Sequence, residues 1–425
     1  MTAIFLLTML FILLFIGVPV AVSLGFASVL TMLLFGDQSL LSSAQKFFHT
    51  MHVYPLLAVP FFILAGAFMT TGGVARRMID FANALVGHFR GGLAMAALLA
   101  SAFFAAVSGS APATVVAVGS VMIGGMIASG YSKGFAAGVI CNSGTLGILI
   151  PPSLVMVVYG AITESSIGKL FIAGILPGIV LTVVMMLTLV VIARRQNMPR
   201  QPRASWRTVV RTFREALWGL MLVVIILGGI YAGIFTPTEA AAVSAVYAFL
   251  IAVFIYKDIG LKDVPGVLLE ASRVTVMLMF IIANAFMFAF LLTTEQIPQF
   301  ASELLVSLGL PVWGFLLLLN LLLLIAGNFM EPTSVVLILT PIVFPIAVDM
   351  GIDPIHLGIL MIVNMQIGLV TPPVGLNLFV TAGVAKMSLE DTVKASMPWL
   401  IVLLAVLMLI TFVPWISLVL PELLL

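Results

Sequence analysis

The residues able to do chemistry in this chain sit at four polar breaks inside long apolar runs. The first break is Ser108-Gly109-Ser110, followed by Thr114. The second is Asn142-Ser143-Gly144-Thr145, which runs on to Pro151-Pro152. The third is Gly327-Asn328, followed by Glu331-Pro332-Thr333-Ser334. The fourth holds Gln366, Thr371, Pro372-Pro373, Gly375 and Asn377. Hydroxyl, amide and unwound carbonyl oxygens are what a hard cation takes as ligands. A half-helix restarting after each proline offers free N–H groups to a carboxylate. Glu331 is the one acidic residue that the apolar pattern places at membrane depth, where an ionisable group marks function by default. It is placed to hold a cation, to bind a proton, or to cap the half-helix that follows. The competing reading of the small polar residues is helix packing. Packing explains scattered Gly and Ser, but not Pro-Pro pairs at matched places in both halves of the chain.

Other chemistry is excluded by what the sequence lacks. It has no HExxH, no GxSxG, no phosphate-binding loop and no paired intramembrane aspartates, so neither a hydrolase nor an ATP-driven pump is expected of this chain. The single Cys141 rules out an intrachain disulfide and a cysteine metal site. Of the four histidines, only His49 and His52 are close, and they lack a third ligand.

The elements that must position these breaks are membrane helices. Of 425 residues, 63% are hydrophobic and 8% charged, against about 25% charged in soluble domains. Apolar segments fall at 3–17, 19–35, 54–70, 94–129, 135–162, 171–193, 216–235, 238–256, 272–294, 313–345, 355–382 and 397–420. A span needs about 20 apolar residues. The stretches 94–129 and 313–345 are too long for one span and break near their middles, so re-entrant hairpins are expected. The segments 135–162 and 355–382 each cross once with an unwound centre, which lipid tolerates only where protein or a wet cavity covers it. The first apolar run lacks a basic leader and a small-residue cleavage site, so a retained helix is expected there.

The breaks recur at one offset. Pro112 and Pro332 are 220 positions apart, Pro151 and Pro372 are 221 apart, and Pro177 and Pro398 are 221 apart. Thr70-Thr71 and Thr293-Thr294 follow at 223, and Pro19 and Pro237 at 218. The expected fold is therefore an all-α polytopic membrane protein of two repeats, 1–193 and 216–425, joined by a basic linker at 194–215. Each repeat has five crossings plus one re-entrant hairpin, and an odd number of crossings inverts the second relative to the first.

The distribution of basic residues tests this count independently. With the loop 194–214 placed inside, 16 of the 18 Lys and Arg residues fall inside and only Lys46 and Lys169 outside. Both termini then lie outside. The stretch 36–53 is expected to be an interfacial connector.

These residues resemble a known family. Pro60-Phe61-Phe62-Ile63-Leu64-Ala65-Gly66, Gly147-Ile148-Leu149-Ile150-Pro151-Pro152-Ser153, Phe235-Thr236-Pro237-Thr238-Glu239-Ala240 and Gly368-Leu369-Val370-Thr371-Pro372-Pro373-Val374-Gly375 are similar to the DctM-like large membrane subunit of tripartite ATP-independent periplasmic (TRAP) transporters, in the ion-transporter superfamily. The resemblance covers essentially the whole chain. It implies a sodium-driven elevator in the bacterial inner membrane, with sodium ions and no organic cofactor. It implies two partners, a small four-helix membrane subunit and a periplasmic substrate-binding protein, and no nucleic acid. One sodium site would use Ser108, Gly109 and Ser110 with Asn142, Ser143 and Gly144. A second would use Gly327, Asn328 and Thr333 with Thr371 and Gly375. Thr114, Thr145, Glu331, Ser334, Gln366 and Asn377 remain as substrate contacts. The Asn328-to-Pro332 tip looks most like the branch that handles C4-dicarboxylates such as succinate, malate and fumarate. A sugar-acid permease and a self-sufficient dicarboxylate carrier are the alternatives.

Overall fold

The computed structural model describes residues 2–35, 45, 48, 52–300, 303 and 309–424, and among them every regular element is a helix. Numbered in chain order, the helices are α1 (Thr2–Phe15), α2 (Val20–Phe35), α3 (Ala58–Thr71), α4 (Val74–Val86), α5 (Gly92–Ser108) and α6 (Ala111–Ala128). Then come α7 (Lys133–Ser143), a 3-10 turn (Gly144–Ile148), α8 (Leu154–Thr163), α9 (Ile167–Arg195), α10 (Trp206–Tyr231) and α11 (Pro237–Leu250). The rest are α12 (Val264–Thr294), α13 (Val312–Phe329), α14 (Pro332–Asp349), α15 (Pro354–Gly368), α16 (Leu376–Ala385), α17 (Leu389–Phe412) and α18 (Trp415–Leu424). Nine helices among the described residues are long and apolar enough to cross a membrane.

Each break has a local cause. Many helices start on a side chain that takes up a free backbone N–H: Ser132 accepts from Phe135, Ser166 from Lys169, Ser205 from Thr208 and Ser388 from Asp391. Thr236 and Glu239 form a reciprocal capping box. At the first hairpin tip, Gly109 takes φ +60°, a left-handed conformation that ends α5, and Pro112 fits the first turn of α6. Both Pro-Pro pairs interrupt their crossings with cis peptide bonds.

Five helices have counterparts in the other half. Gly92 and Val312 start helices 220 positions apart, Ala111 and Pro332 do so at 221, and Lys133 and Pro354 at 221. Leu154 and Leu376, and Ile167 and Leu389, follow at 222. Packing is exchanged between the halves in the same pattern. α6 lies on α16 and α14 on α8; α7 lies on α17 and α15 on α9; α2 lies on α12 and α3 on α11. The broken crossings form the middle of the molecule. Every residue of α15 from Ile355 to Gly368 is buried, as is Ala136 to Ser143 of α7. Outer helices turn large apolar side chains outward, among them Val276 and Ile401, as lipid contact requires.

Several expected boundaries move. The linker expected over 194–215 is irregular only from Gln196 to Ser205, because α9 runs through Arg195 and α10 begins at Trp206. The segment 272–294 begins at Val264, and 397–420 divides into α17 and α18 at Pro414. Helix α4 is absent from the apolar segments because it is amphipathic, with Arg76, Arg77 and Asp80 between apolar residues. Most of the connector expected at 36–53, His49 included, lies outside the described residues.

Candidate cation and substrate site

The first hairpin tip is seated on the unwound part of the first broken crossing. A Cβ placed on Gly147 would meet the Ser110 carbonyl oxygen at 2.5 Å and Ala111 Cα at 2.8 Å. A Cβ on Gly109 would meet the Pro152 carbonyl oxygen at 2.9 Å. These backbones approach this closely only because neither residue carries a side chain. The tip organises itself: Thr114 donates to the Ser110 carbonyl at 2.8 Å, and its hydroxyl lies 3.1 Å from Ser108 Oγ. Ser143 Oγ lies 3.0 Å from Ser101 Oγ. Asn142 spends both amide hydrogens, on the Gly138 carbonyl at 2.8 Å and on Ser396 Oγ at 2.7 Å. Its side-chain oxygen, Oδ1, is buried with no donor.

The second tip is seated in the same way on the second crossing. Gly327 and Gly368 touch backbone to backbone; a Cβ on Gly368 would meet Gly327 Cα at 2.7 Å. Gly375, at φ +47°, donates its N–H to the Asn328 carbonyl at 3.3 Å. Asn328 Oδ1 is buried and unpaired. Glu331 is the N-cap of α14: its carboxylate accepts from Thr333 Oγ1 at 2.6 Å and from the Ser334 N–H at 3.3 Å. Its position is nonetheless exposed on the surface of the chain.

Four half-helix N-termini converge on these breaks, at Ser110, Ser153, Glu331 and Gly375. Three of them have no side-chain cap; only Glu331 supplies one. Ser153 Oγ is buried without a partner, and so are both polar atoms of Gln366 and the Oδ1 of Asn377. Leaving such a group unpaired in a protein interior costs about 1–3 kcal/mol. Several of them lie on elements that already present free N–H groups. The oxygens suit a hard cation, and the helix ends suit a carboxylate.

The structure sorts the expected residues. Ser108, Gly109, Ser110 and Thr114 meet at one tip with Gly144 opposite, where a Cβ would lie 3.3 Å from the Ala111 carbonyl oxygen. Asn377 belongs to this first centre although it sits in the second crossing: it donates to the Cys141 carbonyl at 3.4 Å. Thr145 and Thr371 bond locally, to the Asn142 and Ile367 carbonyls. Thr333 and Ser334 serve Glu331. Sequence reasoning did not reach Ser101 and Ser396, which lie inside helices, and it met Ser153 only as the end of the Pro151-Pro152-Ser153 stretch, with no role given to it. It also did not reach the chain Asn364–Asn320–Thr411, in which Asn364 donates to Asn320 Oδ1 at 2.7 Å and Asn320 to Thr411 Oγ1 at 3.0 Å. A single polar residue inside a helix was the available signal for Ser101, Ser396 and this chain. Among the described residues no group of His, Cys, Asp and Glu could hold a transition metal.

Residues 7–416 match the family described as "Tripartite ATP-independent periplasmic transporter, DctM component". The chain belongs to this family. It is 61% identical over 400 residues, 94% of each chain, to a Pseudomonas aeruginosa protein named C4-dicarboxylate TRAP transporter large permease protein DctM. A Vibrio cholerae protein of the same name is 55% identical, covering 96% of this chain and 95% of its own. An Oleidesulfovibrio alaskensis protein named isethionate TRAP transporter permease protein DctMQ is 40% identical, and this chain spans only 63% of its length. A Haemophilus influenzae protein named sialic acid TRAP transporter permease protein SiaT is 36% identical, over 97% of this chain and 67% of that one. The crystal structure of the Alcanivorax borkumensis YdaH transporter shares the fold, with a TM-score of 0.59 at 14% identity over 88% of this chain and 87% of that one. The family makes this DctM component a multi-pass transporter permease and not an enzyme.

Proposed function

We propose that the chain is the large permease of a sodium-driven TRAP transporter that imports C4-dicarboxylates. The observation that carries the mechanism is the pairing of two helix tips with two unwound crossings, each pairing holding buried amide oxygens without donors. Sodium would be held at the tips by Asn142 and Asn328 together with carbonyls at the helix ends and breaks, from 108–110, 142–144, 327–328 and 371–375. A small dianion would face the uncapped N-termini at Ser110, Ser153 and Gly375, where helix dipoles favour negative charge. Glu331 fills its own helix N-terminus and serves as the cap that keeps the second tip in shape.

The two halves are read as inverted repeats that move as an elevator. The tips and broken crossings form the travelling part, packed on one another across the halves, and α2, α3, α11 and α12 form a fixed frame. Both termini are placed in the periplasm and the 196–205 connector in the cytoplasm, in the bacterial inner membrane. A small membrane subunit and a periplasmic binding protein are the expected partners. The fused name of the Oleidesulfovibrio relative supports a small subunit as a working partner of the large one.

The substrate class rests on the relatives at 61% and 55% identity, both named for C4-dicarboxylates. The relative named for sialic acid stands at 36% and is the second reading. Competition separates them. In cells carrying this chain with its two partners, unlabelled malate and fumarate should each abolish labelled succinate uptake, while sialic acid leaves it unchanged. Inhibition by sialic acid alone would transfer the chain to the sugar-acid reading.

A further inference from the structure

A polar cavity lies away from the tips, and nothing in the transport reading uses it. Its volume is about 1160 Å³, and it opens between α4, the first turns of α10 and the π turn, Ile251–Ile255, that continues α11. Five arginines line it: Arg76 and Arg77 from α4, and Arg207, Arg211 and Arg214 from α10. The carboxylates in the same wall are Asp80, Glu215 and Asp258. Arg77 is committed, since it pairs with Asp258 at 2.5 Å, donates to the Gly73 carbonyl at 3.0 Å and lies over the Tyr256 ring. Arg211 reaches Glu215 only at 3.8 Å, with both side chains well exposed. Arg76, Arg207 and Arg214 have no carboxylate within ion-pair distance among the described residues. Arginine side chains gathered around one cavity are suited to phosphate, because the guanidinium fork matches its oxygens in pairs.

The rim of the cavity indicates how that phosphate arrives. Trp206 is 77% exposed and Trp218 is 43% exposed, and both line it. Tryptophan favours the headgroup level of a bilayer. Ile255 also lines the cavity, and beside it on the same helix end Phe254 turns outward, 52% exposed. A free phosphate ion gains nothing from this apolar border, whereas a lipid lays its acyl chains against it. Basic pockets between membrane helices hold anionic headgroups in this manner.

We infer that the arginine cavity between α4, α10 and α11 binds the phosphate of an anionic membrane lipid. The lipid bridges α4, which leads into the first hairpin, to the two helices on the other side of the cavity. Its phosphate is held by Arg76, Arg207 and Arg214, and its chains lie along Trp218 and Phe254.

The test is native mass spectrometry of the full chain, purified with any membrane subunit that accompanies it and titrated with dioleoyl phosphatidylglycerol or dioleoyl phosphatidylcholine. Phosphatidylglycerol is expected to bind in preference. Each arginine near a membrane surface accounts for roughly a five-fold change in affinity. Arg207→Gln with Arg214→Gln should therefore weaken phosphatidylglycerol binding by roughly 25-fold, and Arg76→Gln, from the opposite wall, by roughly five-fold. Arg273→Gln removes one charge outside the cavity and should leave binding unchanged. If the double variant does not fold, the single Arg76→Gln carries the test. Equal binding of the two lipids, or unchanged binding in the Arg76 variant, would overturn the inference. Inorganic phosphate displacing the lipid at equal concentration would reassign the cavity to a free anion and overturn the lipid. Loss of lipid binding whenever a second membrane subunit is present would overturn it too.

Discussion

Gly147→Ala is the substitution that probes the seating of the first tip with least disturbance elsewhere. Gly147 lies in the 3-10 turn with no positive φ, so alanine suits its backbone. The added methyl would meet Ser110 C at 2.6 Å and the Ser110 carbonyl oxygen at 2.5 Å, against 3.4 Å or more in ordinary contact. Those atoms are backbone and cannot rotate away, so the tip must retreat by roughly 0.9 Å, an overpacking that costs about 1–3 kcal/mol. If sodium is held between the tip and the crossing, that cost falls on the bound state, and 1.4 kcal/mol is a factor of ten. The sodium concentration for half-maximal uptake should rise about ten-fold, and the stabilisation of the protein by sodium in a melting experiment should shrink. Gly125→Ala is the control, because a Cβ there meets nothing within 4 Å. An unchanged sodium curve and melting temperature in Gly147→Ala would refute the seating, and with it the placement of the cation at this junction.

Three further outcomes follow from the same geometry. Glu331→Gln keeps an acceptor for Ser334 and should transport with unaltered sodium and pH curves at a stability cost of about 1 kcal/mol or less; Glu331→Ala should lose more stability, and an altered pH curve in the Gln variant would instead make Glu331 a proton site. Asn142→Ala removes an unpaired buried oxygen and two hydrogen bonds, so sodium dependence measured by uptake should weaken; Ser396→Ala, which removes only one of those bonds, should leave it within about three-fold, roughly 0.6 kcal/mol. Cysteine introduced at position 200 should be shielded from an impermeant thiol reagent in intact cells and cysteine at 351 should react, and the reverse pattern would invert the proposed orientation.

The breaks were legible in the sequence because membrane helices are continuous apolar runs and any polar, Gly or Pro cluster within one is conspicuous. Gly109, Glu331 and both Pro-Pro pairs mark helix ends where the sequence pattern put them. The 220–222 spacing of helix starts was visible in the prolines alone. What the pattern could not carry was amphipathic or solitary. Helix α4 has alternating charged and apolar residues, so no apolar run announced it. Ser101 and Ser396 become meaningful only when packing brings them to Ser143 and to Asn142. Asn377 shows the limit most clearly, since its sequence neighbours belong to the second crossing while its amide reaches Cys141 in the first. That exchange arises because α16 packs on α6 and α7, a long-range choice that local spacing does not encode.

The central claim is sodium-driven, binding-protein-dependent uptake, and one reconstitution tests it. The chain and its small membrane subunit are placed in proteoliposomes, an inward sodium gradient is imposed, and the accumulation of labelled succinate is followed with and without the periplasmic binding protein. Accumulation that needs both the gradient and the binding protein is the predicted result. Uptake that proceeds equally well in potassium, or at full rate without the binding protein, would contradict it.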